Sequence, residues 1–106
     1  MVIYHEGKRV KGYLTLNFMD KKPVELFITM DAANPIAKGF AHCTSILVSK
    51  MLRHGIDPDE IIAVLEHQRF EPAGLCEGKI HSCSSIADYI AKWMKLEIER
   101  KQHEQV

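Results

Sequence analysis

Val24-Glu25-Leu26-Phe27-Ile28-Thr29-Met30 alternates apolar and polar side chains, whereas Ile36-Ala37-Lys38-Gly39-Phe40-Ala41-His42-Cys43 starts an apolar repeat of every three to four residues. The first period is that of a half-buried strand and the second that of a helix. Between them Asp31-Ala32-Ala33-Asn34-Pro35 reads as a loop, with Pro35 suited to a first helical turn. Toward the N-terminus, Val10, Gly12, Leu14, Leu16 and Phe18 share one face, and Lys11, Tyr13, Thr15 and Asn17 the other. The polar break Met19-Asp20-Lys21-Lys22-Pro23 joins two alternating runs, which is the pattern of a β-hairpin. A shorter strand is expected at Val2–His5, with Gly7 in the turn that follows.

Toward the C-terminus the pattern predicts three helices, over 36–54, 57–67 and 84–98. The first carries Phe40, Cys43, Leu47 and Met51 at helical spacing, with Ile46, Val48 and Leu52 alongside, and Gly55 supplies its stop. Asp57-Pro58-Asp59-Glu60 starts the second with an N-cap aspartate, a proline at the first helical position and a glutamate three residues after the cap. Glu71–His81, with Pro72, Gly74 and Gly78, reads as a loop. Ser82-Cys83-Ser84-Ser85 offers N-cap hydroxyls to the third helix, whose inward residues are Ile86, Tyr89, Ile90, Trp93, Met94 and Leu96. Trp93 is expected to pack in the core with Ile90, Leu65 and Leu47. Strands followed by helices predict an α+β fold: an N-terminal antiparallel β-hairpin or three-stranded sheet, then three helices packed on one of its faces. The other face, with Tyr13, Thr15 and Phe27, is the expected surface of a homo-oligomer, or an ordinary wet sheet face.

A chain of 106 residues, 46% hydrophobic and 26% charged, is one ordinary globular domain. Its core is expected over about 10–96, with 97–106 a polar helical tail. Fourteen basic and fourteen acidic residues leave no net charge, which argues against a nucleic-acid polymer as partner. Three cysteines are odd and few for a disulfide-built secreted domain. No apolar run approaches the ~18 residues of a membrane span, and the first residues do not read as a signal peptide. A cytoplasmic protein with reduced thiols is expected.

Leu47–Gly55, Ile56–Leu65, Gln68-Arg69-Phe70-Glu71-Pro72 and His81-Ser82-Cys83-Ser84-Ser85-Ile86-Ala87 form an ordered set. It resembles the TSCPD domain, named for a Thr-Ser-Cys-Pro-Asp motif at its last helix. That domain is found near the C-terminus of adenosylcobalamin-dependent ribonucleotide reductases and in small free-standing proteins. The strands Tyr13–Phe18 and Val24–Ile28 fit its opening. Only Ser82 and Cys83 match the motif itself; His81, Ser84 and Ser85 replace Thr, Pro and Asp. Phe70 stands where the family carries a second cysteine, two residues before Pro72. The resemblance implies an accessory domain with a ribonucleotide reductase chain as partner, not catalytic alone, because the barrel and radical site of a reductase need far more chain than this.

Two other readings stand beside it. A small nucleotide is the expected ligand of a sensing or sequestering protein, held by Ser82, Cys83, Ser84 and Ser85 at the start of the third helix and by the planar fork of Arg69. Against it stands the reading in which the serines serve only as caps and Arg69 pairs with Glu66 or Glu71. The third reading is a cysteine-based redox or metal module. Cys83 in a first helical turn would have a lowered pKa. Cys76, His81 and Cys83, with Cys43, His42 or His67 as a fourth ligand, match no common zinc spacing. No metal and no cofactor are expected, and no catalytic residue is assigned.

Overall fold

The computed structural model describes residues 1–31 and 35–104. The loop expected at Asp31–Pro35 falls largely on 32–34, outside the described residues. Strands β1 (Val2–His5), β2 (Lys8–Met19) and β3 (Lys22–Asp31) are followed by helices α1 (Pro35–Arg53) and α2 (Pro58–Leu65). Then come β4 (Gly74–Cys76), β5 (Ser82–Cys83) and α3 (Ile86–Gln102). The five strands form one antiparallel sheet in the order β3-β2-β1-β4-β5, and the fold is α+β as the periodicity predicts.

The three N-terminal strands are joined by two-residue turns. Glu6 and Gly7 join β1 to β2 at φ 48° and 75°, and Asp20 and Lys21 join β2 to β3 at φ 51° and 67°. Positive φ at both central residues matches the twist of the flanking strands. The segment expected as a loop at Glu71–His81 instead contains β4, and β5 follows it; together they extend the sheet from the free side of β1. Strands of three and two residues are too short to show a period, so the Pro-Gly composition masked them. Gly74 lies at φ 149°, and a Cβ there would collide with the Tyr4 carbonyl oxygen, so only glycine allows this approach of β4 to β1.

The inner face of the sheet supplies Leu26, Ile28 and Met30 to the main core. Val48 and Leu52 of α1, Ile61 and Ile62 of α2, and Ile90, Ala91 and Met94 of α3 complete it. A smaller cluster of Ile3, Ile80, Cys83 and Tyr89 sits under the β4–β5 hairpin, and half-buried Trp93 bridges the two. The expected partner Leu47 is not there: it is 61% exposed. Phe40, Cys43 and Met51 also face outward. The inward face of α1 is Ala41, Ser45, Val48, Ser49 and Leu52, a correction with a clear cause. β3 is an edge strand. The Leu26 amide donates to Ser49 Oγ and the Ile28 amide to Ser45 Oγ, each at 2.9 Å. Ser49 Oγ donates back to the Leu26 carbonyl at 3.1 Å, and Ser45 Oγ to the Ala41 carbonyl at 2.9 Å. Buried backbone groups need partners, so the hydroxyl-bearing stripe of α1 turns inward and the purely apolar stripe is left outside.

The end of α2 and the start of α3 are tied by one carboxylate. Asp88 is 1% exposed. Its Oδ1 accepts from the His67 amide at 2.8 Å, and its Oδ2 accepts from the Ser84 amide at 3.0 Å and from Lys92 Nζ at 2.9 Å. Burial pushes this carboxyl up, but the two amides and the ammonium outweigh it and hold the group at about 2. At its far end α3 runs on to Gln102, where Gln102 Nε2 donates to the Lys21 carbonyl at 3.1 Å and Lys101 Nζ stands 5.5 Å over the Phe18 ring. No helix among the described residues is long and apolar enough to cross a membrane.

Two predictions follow from this packing. Ser45→Ala or Ser49→Ala leaves a buried edge-strand amide without its acceptor, and each should lower stability by roughly 1–3 kcal/mol in urea unfolding. Asp88, with a folded pKa depressed from about 4 to about 2, contributes stability that is complete above pH ~4 and is lost as pH falls through ~2. Subtracting the unfolding free energies of Asp88→Asn from those of wild type should give a difference of roughly 2–3 kcal/mol near neutrality that shrinks across this window. A difference flat in pH would show that the carboxylate charge is not what matters.

Candidate functional site

Asp88 brings together the two segments singled out in the sequence. The Phe70 amide donates to the Ser84 carbonyl at 3.1 Å, and Ser84 Oγ donates to the Gln68 carbonyl at 2.7 Å. Between the segments lies an open cavity of about 650 Å³ whose lining includes His67, Arg69, Phe70, Ser82, Ser84 and Lys92. Arg69 is exposed at its rim. The acids considered as its partners are engaged elsewhere: Glu66 with Lys95 at 2.6 Å, and Glu71 with His5 at 3.7 Å.

The four residues at the start of α3 divide their tasks. Ser85, fully buried, is the N-cap, and its Oγ accepts from the Asp88 amide at 3.0 Å. Serine and aspartate both cap well, so Ser85 performs the task open to an aspartate at that place in the family motif. Ser84 spends its hydroxyl on Gln68. Ser82 lies in β5, and its carbonyl accepts from Lys92 Nζ at 3.1 Å. Cys83 is also in β5, buried, and not in a helical first turn as expected; the helix begins three residues later. The positive end of α3 is thus answered within the chain by Asp88 and Ser85, and the cationic side chains left to face the cavity are Arg69 and Lys92. Asp88 and Lys92 were missed in the sequence. The Ser85-x-x-Asp88 spacing of a capping box was the available signal.

The cysteines separate into a pair and a single. Cys76 of β4 and Cys83 of β5 place their sulfurs 3.4 Å apart. Burial first, then the neighbouring Cys83 thiol, push the Cys76 thiol up to about 12. Cys43 is exposed on α1. His81 is exposed, and its carbonyl accepts from the Cys76 amide at 2.8 Å. Among the described residues, the group of three ligating side chains that converge within 4.8 Å is instead His5, Glu6 and Glu71, the two glutamates being exposed. His5 Nδ1 lies 3.2 Å from the Ala73 carbonyl, with Nε2 directed at both carboxylates. The sheet face with Tyr13, Thr15 and Phe27 is open, and Lys11 Nζ stands 5.3 Å over the Tyr13 ring.

Comparison with known proteins places this architecture. The TSCPD domain matches over residues 4–98. The chain is 33% identical over 86 residues to a vitamin B12-dependent ribonucleotide reductase of Rhodopirellula baltica, a match covering 79% of this chain and 8% of that protein. It is 35% identical over 83 residues to the vitamin B12-dependent ribonucleotide reductase of Bradyrhizobium diazoefficiens, and 31% identical over 83 residues to that of Agrobacterium fabrum. Those matches cover 76% of this chain in both cases, and 7% and 6% of the relatives. The chain therefore spans less than a tenth of the length of the curated relatives it matches. No solved structure matches it. From the hairpin to the last helix, the chain belongs to the TSCPD domain family.

Proposed function

We propose that this chain is a non-catalytic accessory module that works in trans with a B12-dependent ribonucleotide reductase in the cytoplasm. The observation that carries this reading is the pair of match lengths: nearly all of the domain corresponds to a segment that is 6–8% of each reductase. A segment of that share contributes contacts or regulation, while the reaction's own machinery has the rest of the chain to occupy. The expected test result is co-elution of the tagged chain with the purified reductase of the same organism, and a changed reductase turnover on adding it. Separate elution at high micromolar concentration, with turnover unchanged, would overturn the proposal.

A second reading makes the cavity between Arg69 and Ser84 a nucleotide site, and the placing of Arg69, Ser82, Ser84 and Lys92 around one opening favours it. Cys83 then lines the same cavity, and buried Ser85 caps the helix behind it. With Asp88 already answering the helix end, Arg69 carries the charge recognition of a phosphate. A nucleotide present at about 100 times its Kd adds ~2.7 kcal/mol of stability, so it should raise the melting temperature of wild type. Arg69→Ala should abolish that rise and leave the ligand-free melting temperature within roughly 2–4 °C, as for a surface change. If millimolar nucleotides shift neither protein, the cavity is only the gap beside a capped helix.

A further inference from the structure

β4 and β5 are the shortest strands of the sheet, and β5 is its free edge. β5 holds to β4 through the pairs Gly74–Cys83 and Leu75–Ser82, and β4 holds to β1 through Ile3–Cys76 and Tyr4–Leu75. Cys76 lies two places along from Gly74, so it shares a face with Cys83 on the diagonal of the hairpin. Directly opposite Cys83 stands Gly74, which puts no side chain beside it, and the two sulfurs meet at 3.4 Å. The Cys76 amide donates to the His81 carbonyl at 2.8 Å, which keeps the two strands together beside the thiols. A disulfide closes at about 2.05 Å, so the sulfurs need approach by only about 1.4 Å, within reach of side-chain rotation.

We propose that Cys76 and Cys83 are a redox-sensitive pair, which a small disulfide of the glutathione class converts into an intramolecular bond that staples β4 to β5. Entry is at Cys76, which is half-buried, whereas Cys83 is buried. Cys76 gives up its proton and its sulfur attacks the small disulfide. A bond from Cys76 to one small-molecule sulfur forms, the small disulfide's own bond breaks, and one small thiol leaves with a proton. Cys83 then gives up its proton and attacks the Cys76 sulfur, expelling the second small thiol. Two protein thiols are oxidised, and one small disulfide is reduced to two thiols. Burial first, then the neighbouring Cys83, hold the Cys76 thiol up at about 12, so little of it is thiolate at neutral pH. The exchange is slow for that reason and gains about tenfold per pH unit. The pair is a latch that answers a sustained change of redox state, not a shuttle that turns over rapidly.

Metal binding fits these sulfurs less well. A structural zinc ion takes a closed set of ligands, and among the described residues the ligating group that converges is His5, Glu6 and Glu71, which contains neither sulfur. The bond acts where the candidate site is built. Cys83 lines the cavity of Arg69 and Ser84, and it directly precedes the Ser84 amide that Asp88 holds. Closing the loop 77–82 with a bond takes freedom chiefly from the unfolded chain. The fold and the bond therefore stabilise each other, and neither a reductase nor a nucleotide is needed for the bond to form.

The test brings the full chain to equilibrium in glutathione buffers of graded ratio at mildly alkaline pH, blocks free thiols with N-ethylmaleimide and maps tryptic fragments by mass. Trypsin cuts after Arg69, Lys79 and Lys92, so Cys76 and Cys83 fall on the separate fragments 70–79 and 80–92, with Cys43 on another. Oxidised wild type should yield the fragments 70–79 and 80–92 joined to each other and not to the Cys43 fragment. The folded chain should keep the bond at a buffer ratio roughly tenfold or more further toward reduced glutathione than the chain unfolded in urea. The oxidised form should melt above the reduced one. Cys76→Ser should abolish the joined fragments and the rise in melting temperature, and Cys43→Ser should leave both unchanged. Fragments that stay unjoined in fully oxidised glutathione overturn the proposal, and so does a stable glutathione adduct on Cys76 in place of the bond. A bond held no better by the folded chain than in urea overturns it as well. An oxidised form that melts below the reduced one does the same, because the bond would then strain the hairpin instead of stapling it.

Discussion

The buried Asp88 carboxylate is the point on which the candidate site depends. It is polar on every side, and each of its contacts belongs to a different local element: the chain after α2, the chain before α3, and the next turn of α3. A carboxylate this deep is tolerated only when its oxygens are matched by donors. Here two amides and one ammonium match them. Because the amides of His67 and Ser84 would otherwise lack partners at the ends of their segments, the carboxylate fixes the separation of those segments. The cavity between Arg69 and Ser84 is the space this separation leaves.

The same logic, hydroxyls in place of a carboxylate, governs the opposite end of the sheet. β3 is an edge, and edges expose amides that attract other strands. Ser45 and Ser49 satisfy two of them from α1. The consequence reaches the surface. A helix has one orientation about its axis, and giving the serines to β3 turns Phe40 and Leu47 outward. Protecting the edge from strand pairing thus leaves an apolar stripe of α1 on the surface.

Much of the fold was legible from particular residues. The alternation Val10 to Phe18 and Val24 to Met30 located the hairpin, and Asp57-Pro58 located the start of α2. The break near Pro35 located α1. The family resemblance rested on Leu47–Pro72 and His81–Ala87, and it held. Where reading failed, local signals were absent or ambiguous. β4 and β5 offer three and two residues, too few for a period. α1 offered two apolar stripes of similar weight, and ranking by hydrophobicity chose the wrong one because serines count as polar in such a ranking. Of the site residues, Arg69, Ser82 and Ser84 were named and do line one cavity; Lys92 and Asp88, which line it too, were not named.

By itself the sequence determined the order of elements, the faces of β2 and β3, the helix starts at Pro35 and Pro58, and the family. Each of these depends on neighbours within a few residues: side-chain alternation, a fixed proline φ, a cap. Only the tertiary structure decided which stripe of α1 is buried, that Cys76 meets Cys83, and that Asp88 of α3 serves amides of His67 and Ser84. Those outcomes turn on backbone groups whose need for a partner appears only once distant strands and helix ends have been brought together, and hydrogen-bond satisfaction across such distances has no signature in the local pattern.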